Sequence, residues 1–308
     1  MPGRYEHVAT ICNRRGKNLF CKYFEPMNPR EGSLSATSDP GCCRAIVFIA
    51  HGYGEHCLLY CQLARLLAFN RYFVMTHDHV GHGNSDGARA QIDTFQKYVD
   101  DVFFHIERVK IRFPDLPVYI CGHSMGGTIA ILAALRSPNY FDGLILIAPA
   151  VKTNPALTTP FRVNLVKYLR VIFPRFPVAS LDLNLLSRCP ERVKEMKDDP
   201  YRYKGYCKAG FGASLIEAME EIEEKVSNLS VPFILLQGEY DKICIPEGAA
   251  FLNKNAESID KTLKIYPCAY HSLLFEPYGV AEQVKSDIIE WLNNRVRSNV
   301  SDQDTKDR

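Results

Sequence analysis

The chain has 308 residues, 46% hydrophobic and 23% charged, which suits one large α/β domain or two smaller ones and excludes an intrinsically disordered chain. Lys plus Arg number 37 against 35 Asp plus Glu, a net charge of +2, so no basic excess points to nucleic acid as a partner. No apolar run reaches the roughly 18 residues of a membrane span, the start lacks a secretory apolar region, and the 11 cysteines are scattered with no CxxC pair, which predicts a cytoplasmic protein with reduced thiols and no zinc site.

In chain order, a polar, Pro- and Gly-containing stretch over 27–44 reads as a loop. Short apolar, β-branched runs follow, alternating with helical patterns: AIVFIA (45–50), YFVMTHD (72–78), PVYICG (117–122), GLILIAP (143–149), PFILLQG (232–238) and TLKIYP (262–267). This alternation predicts a mostly parallel sheet with helices on both faces. Polar groups at the carboxyl ends of such strands are where ligand chemistry is expected. About 80 residues separate the fourth and fifth runs, so 151–226 is read as a helical cap inserted into a core of 1–150 and 227–297, with 298–308 as a flexible tail. Within the cap, Thr159 to Phe173 sets Val163, Val166, Leu169 and Ile172 or Phe173 on one helical face, and Val151 to Leu181 holds five Lys or Arg and no acid. Such a helix either packs on its own domain or lies in a membrane interface.

After PVYICG the chain reads G-H-S-M-G, with Gly122, Ser124 and Gly126 between a strand and a helix. A nucleophilic serine on so tight a turn needs small residues two places to either side, because side chains there would clash. Its hydroxyl needs a base, and the base an acid to hold it. Asp241, past PFILLQG, and His271, past TLKIYP, stand at strand ends in the required order; Glu239, the rival acid, follows Gly238 directly and is read as shaping the turn. His77, His79 and His82 crowd one Gly-rich loop that reads as turn-forming rather than metal-binding, and His123 is expected to be turned away from the serine. For the developing oxyanion, the amide of Met125 and that of Tyr53 in HGYG are the candidate donors.

With HGYGEH (51–56), HDHVGHGNSDG (77–87), GHSMGG (122–127), LLQGEYDKIC (235–244) and AYH (269–271), residues 45–295 resemble the monoglyceride lipase branch of the α/β-hydrolase family. The resemblance implies an α/β-hydrolase fold, a Ser124–His271–Asp241 triad with Tyr53 and Met125 as oxyanion donors, and a mobile lipophilic cap that sits against membranes. It also implies cleavage of monoacylglycerol without cofactor or metal. The partners expected are a lipid ester and a membrane surface, with a homodimer as the other use of the apolar cap face. Tyr53 stands where the family has a small residue. At the polar end of the pocket Glu55 is kept as a substrate-binding candidate, but Leu59 and Leu274 replace an arginine and a second histidine, which predicts a less polar alcohol site. Cys244 and Cys207 are candidate thiols near the site. Alternative readings are a lysophospholipase, a broad carboxylesterase and, in another class, a lipid-binding module without catalysis.

Overall fold

The computed structural model describes residues 5–27, 43–154 and 158–306, with side chains to 296, so most of the 27–44 loop lies outside the described residues. Eight strands form one sheet in the order β1-β2-β4-β3-β5-β6-β9-β10. The six strands expected from sequence are its parallel part: β3 (Ala45–Ala50), β4 (Tyr72–His77), β5 (Val118–His123), β6 (Gly143–Ile147), β9 (Phe233–Gly238) and β10 (Lys261–Tyr266).

All but the edge strand β10 are buried along their whole length, and their runs are apolar without alternation because both faces are covered. Ala45, Val47 and Ile49 of β3 join a core with α1 (Cys61–Phe69) and α8 (Val280–Lys306). Ile46, Phe48 and Ala50 face α2 (Gln96–Lys110) and α3 (Met125–Arg136). The chain leaves β3 for β4 on one side and reaches β5 on the other, and that reversal opens a crevice at the carboxyl ends of β3 and β5.

Two strands escape the sequence reading. β1 (Glu6–Cys12) and β2 (Asn18–Phe24) pair antiparallel, and β2 continues antiparallel onto β4. β1 is largely exposed, so it lacks the apolar run that marks a buried strand; its turn rests on Gly16 at φ 69°. Cys43, within the stretch read as a loop, is buried at the entrance to β3. α8 carries helical backbone to Lys306, past the start of the expected tail; polar composition alone does not end a helix when neither Gly nor Pro intervenes.

Residues 151–226 hold α4 (Pro160–Ile172), α5 (Pro190–Asp198) and α6 (Ala209–Lys225), and also a small antiparallel pair, β7 (Pro177–Ala179) with β8 (Cys207–Lys208), where no strand is expected. α6 belongs to the main core through Phe211, Ala218 and Ile222. α4 has no buried residue; Thr159 caps it, Pro160 opens it, and Lys167 and Arg170 reach Glu220 and Glu217 on α6.

Candidate active site

Ser124 sits between β5 and α3 with φ 53° and ψ −118°, a backbone conformation that a side-chain-bearing residue adopts only where its surroundings enforce it. The enforcement is visible at the flanking glycines. A Cβ at Gly122 would lie 2.3 Å from the Gly126 carbonyl oxygen, and one at Gly126 would lie 2.1 Å from that of Ala50. The Ser124 amide donates to the Ile147 carbonyl at 3.0 Å, fixing the turn on the sheet.

Asp241 and His271 follow β9 and β10, adjacent parallel strands, so their loops open at the same end of the sheet as the serine. The Asp241 Oδ1 atom accepts the amides of Ile243 and Cys244, at 2.8 and 2.9 Å, which orients the carboxylate. Its Oδ2 accepts from His271 Nδ1 at 2.7 Å and from Gln237 Nε2 at 3.2 Å. That bond leaves Nε2 of the ring for a second proton partner. Ser124 Oγ meets Cys244 Sγ at 3.8 Å, while Ser124 and His271 line the same cavity. Burial, with the Asp241 charge next, pushes the Cys244 thiol well above its usual range, so it stands beside the serine as a protonated thiol. Glu239 accepts the Cys268 amide at 2.8 Å, a turn contact away from His271.

Neither the Tyr53 nor the Met125 amide donates to a backbone carbonyl in a turn, loop or cap. Glu55 braces the Tyr53 loop by accepting the Gly52 amide at 2.9 Å. The Tyr53 ring packs on Phe211, with centroids 4.5 Å apart, and lines the cavity, so its bulk narrows the space where a small residue would leave it open.

The cavity over Ser124 has a volume of about 800 Å³. Apolar side chains from the inserted segment, among them Val163, Val166, Leu169, Leu215 and Met219, wall most of it. At its polar end stand Glu55, His123 and Arg202. Glu55 is fully enclosed; burial alone would raise its pKa, but His123, Arg202 and the Tyr60 hydroxyl outweigh it and hold the carboxyl well below its usual range. Two sequence expectations change here. His123 is not turned out of the site: its ring lies 4.9 Å from that of His271, and its Nδ1 meets Tyr60 Oη at 2.8 Å and Glu55 Oε2 at 3.2 Å. As the last residue of β5, its side chain lies over the sheet end instead of following the turn. Nor do Leu59 and Leu274 form the alcohol site, since both pack in the apolar cluster under α1 and α8. Arg202 carried no mark in the sequence, where DPYRYKGYCK reads like any polar surface stretch.

The loop of His77, His79 and His82 is a braced turn. The Asp78 carboxylate accepts the amides of Cys57 and Asn84, both at 2.7 Å, and the His79 amide donates to His51 Nε2 at 2.9 Å. No three His, Cys, Asp or Glu residues converge as a metal site among the described residues. Cys207 lines the cavity, and burial pushes its thiol up to about 11.

The serine aminopeptidase S33 family matches residues 41–278. Monoglyceride lipase of Homo sapiens is 38% identical over 291 residues, covering 94% of this chain and 92% of that protein. That of Mus musculus is 36% identical over 292 residues, covering 95% and 92%. The crystal structure of Paleococcus ferrophilus monoacylglycerol lipase superposes with a TM-score of 0.78 at 29% identity, covering 90% of this chain and 99% of that one. Likeness that runs the length of the chain, in sequence and in backbone alike, makes this protein a member of the monoglyceride lipase branch of the α/β-hydrolase family.

Proposed function

We propose that this protein hydrolyses monoacylglycerols to fatty acid and glycerol through an acyl-enzyme on Ser124. The observation that carries the reading is the position of Ser124, where an apolar cavity of about 800 Å³ meets a polar end beside the Asp241-bound ring of His271. Rotation of the serine hydroxyl from Cys244 toward His271 gives Nε2 its proton. Oγ attacks the ester carbonyl, the amides of Tyr53 and Met125 hold the oxyanion, and the imidazolium, steadied by Asp241, protonates the departing alcohol. Water then attacks the acyl carbonyl as His271 takes its proton, the bond to Oγ breaks with return of that proton to Ser124, and the fatty acid leaves. Every step uses side chains and amides of the chain itself.

The segment 151–226 acts as a cap in this reading, and α4 as its membrane-facing part. Val163, Val166 and Leu169 roof the cavity, while Phe161, Tyr168 and Val171 form a second apolar stripe that faces out, with Val171 81% exposed. A helix that is apolar toward the cavity and toward the outside suits a peripheral protein that draws lipid from a bilayer into the site. Free cysteines throughout the described chain suit the cytoplasm. Pairing of two copies through the stripe is the competing use, read out by a mass that doubles in solution without lipid.

The test is fatty-acid release from a long-chain monoacylglycerol, lysophosphatidylcholine and a short nitrophenyl ester by the protein and by Ser124→Ala. The monoacylglycerol should lead and the variant should be inactive. A leading lysophospholipid would make the protein a lysophospholipase, a leading short ester a carboxylesterase. A fluorophosphonate probe that fails to label Ser124 would point to a lipid-binding module.

A further inference from the structure

Arg202 is the unusual residue of the cavity. Its side chain is 1% exposed and pairs with Glu55 through Nη2 and Oε1 at 3.3 Å, yet Nε is buried without a partner. An orphaned buried donor is costly unless something occupies it. On the same cavity His123 Nε2 is also buried and unpartnered. Glu55 fixes what that second nitrogen offers. Its Oε2 faces His123 Nδ1, and the Tyr60 hydroxyl already donates to the same oxygen. The Nδ1 position therefore carries a proton, which leaves Nε2 as the ring nitrogen without a partner. The residues at the polar end of the cavity thus hold two nitrogens, Nε of Arg202 and Nε2 of His123, that the protein itself leaves unpartnered.

A hydroxyl group can accept from a guanidinium N–H, and it can accept from or donate to an imidazole nitrogen in either protonation state. A phosphate would find the guanidinium already neutralised by Glu55. The arginine is also held in place beforehand. Its neighbour Tyr203 donates its amide to the Gly54 carbonyl at 2.8 Å, and Asp199 accepts from His56 Nε2 at 2.7 Å, so the strand of chain carrying Arg202 is fastened to the loop that carries Tyr53 and Glu55.

We propose that Arg202, with His123, is the specificity determinant for the alcohol half of the ester, binding a free hydroxyl of a neutral polyol leaving group. The inference rests on the ester-hydrolase reading of Ser124 and deepens it. The residue reaches the site from the inserted segment, and it supplies the polar contact that the leucines at 59 and 274 do not.

The experiment measures kcat/KM for a monoacylglycerol, the methyl ester of the same fatty acid and the matching lysophosphatidic acid, with the unaltered protein, Arg202→Met and Arg202→Lys. The unaltered protein should favour the monoacylglycerol over the methyl ester, and Arg202→Met should lower that ratio by about tenfold or more, since a site built to bind a hydroxyl loses its discrimination with the donor. Arg202→Lys, which keeps the charge against Glu55 but loses the forked guanidinium, should recover part of it. Thermal unfolding checks each variant. If Arg202→Met does not fold, the lysine variant decides, and a ratio equal to that of the unaltered protein overturns the proposal. An unchanged ratio in folded Arg202→Met overturns it too, as does a preference for lysophosphatidic acid that Arg202→Met abolishes, which would make this a phosphate site. Failure of the unaltered protein to cleave any of the esters would overturn the hydrolase reading itself, and the proposal with it.

Discussion

Replacing Asp241 with Asn tests the proposed chemistry with little change in shape. The amide oxygen of Asn can still accept from Ile243 and Cys244 at the positions Oδ1 now holds, so the turn after β9 should survive. The amide nitrogen would then face His271 Nδ1 and Gln237 Nε2, where Oδ2 now accepts from both. A donor there forces the proton of the imidazole onto Nε2, the nitrogen meant to receive the serine proton. In another serine hydrolase the equivalent change costs ~10⁴ in kcat, and a loss on that order is expected here, with the melting temperature little altered. Steady-state rates on a soluble ester decide it, and a rate within about tenfold of the parent would mean that Asp241 does not orient the base. The three residues of this proposal were legible in the sequence for one physical reason: each follows an apolar strand, and a parallel sheet gathers such ends on one side. Arg202 and His123 were not legible. Burial decides their role, and burial of an arginine inside a polar stretch leaves no pattern in the chain.

At the scale of elements, α4 departs most from its sequence reading. The periodic face of Val163, Val166 and Leu169 is partly buried and lines the cavity. The basic character of the segment means less than the sequence suggested, because Lys167 and Arg170 are tied to Glu220 and Glu217 of α6. A charge paired within the protein gives little attraction to an anionic membrane, whereas an unpaired one near the surface is worth about 1 kcal/mol. In the proposed membrane contact, the outward stripe of Phe161 and Val171, 76% and 81% exposed, is the part that carries attachment through apolar insertion. Phe161→Glu with Val171→Glu should weaken binding to liposomes by about tenfold or more, given roughly 1.5–3 kcal/mol for burying each such side chain. Raising the salt concentration should change binding by the parent protein only slightly. Sedimentation with vesicles at low and high salt measures both, and binding that survives the double change would remove α4 from the membrane contact. The hairpin of β1 and β2 illustrates the opposite limit: an exposed edge strand needs no apolar run, so sequence periodicity passes over it.

Across the whole molecule, the buried histidines set a limit on the acid side. His51, His77, His79, His82 and His105 are 0% or 1% exposed. Burial, the largest cause at each, holds the first three well below the usual value, His82 at about 4 and His105 at about 3, with neighbouring histidine rings adding to it at the first three. Three of them form a chain from Tyr23 Oη through His105 and His77 to His79, by contacts of 2.7, 3.1 and 3.3 Å, and each contact between two rings needs one nitrogen without a proton. In the unfolded chain each would titrate near 6.5. Because the folded values are lower, the unfolded state binds more protons, so stability is full above about pH 6.5 and falls as the pH drops toward the folded values. Each ring removes up to about 1.4 kcal/mol per pH unit in that window. Asp101 works the other way: burial raises it to about 6 despite Arg15 and Asn13, so protonation relieves one strained carboxylate as the histidines become costly. Five rings against one carboxylate leave a net loss of several kcal/mol between about pH 6.5 and 5, comparable to the 5–15 kcal/mol of a typical domain. Urea unfolding from pH 8 to 4.5 should therefore give midpoints that are level above about pH 7 and drop steeply through pH 6. His82→Gln, at a ring whose Nε2 has no partner, should make the drop shallower by about one proton's worth. A midpoint that stays level down to pH 5 would mean that these rings already carry protons in the folded protein, and that the loop beside the active site is built on charge instead of on neutral stacking.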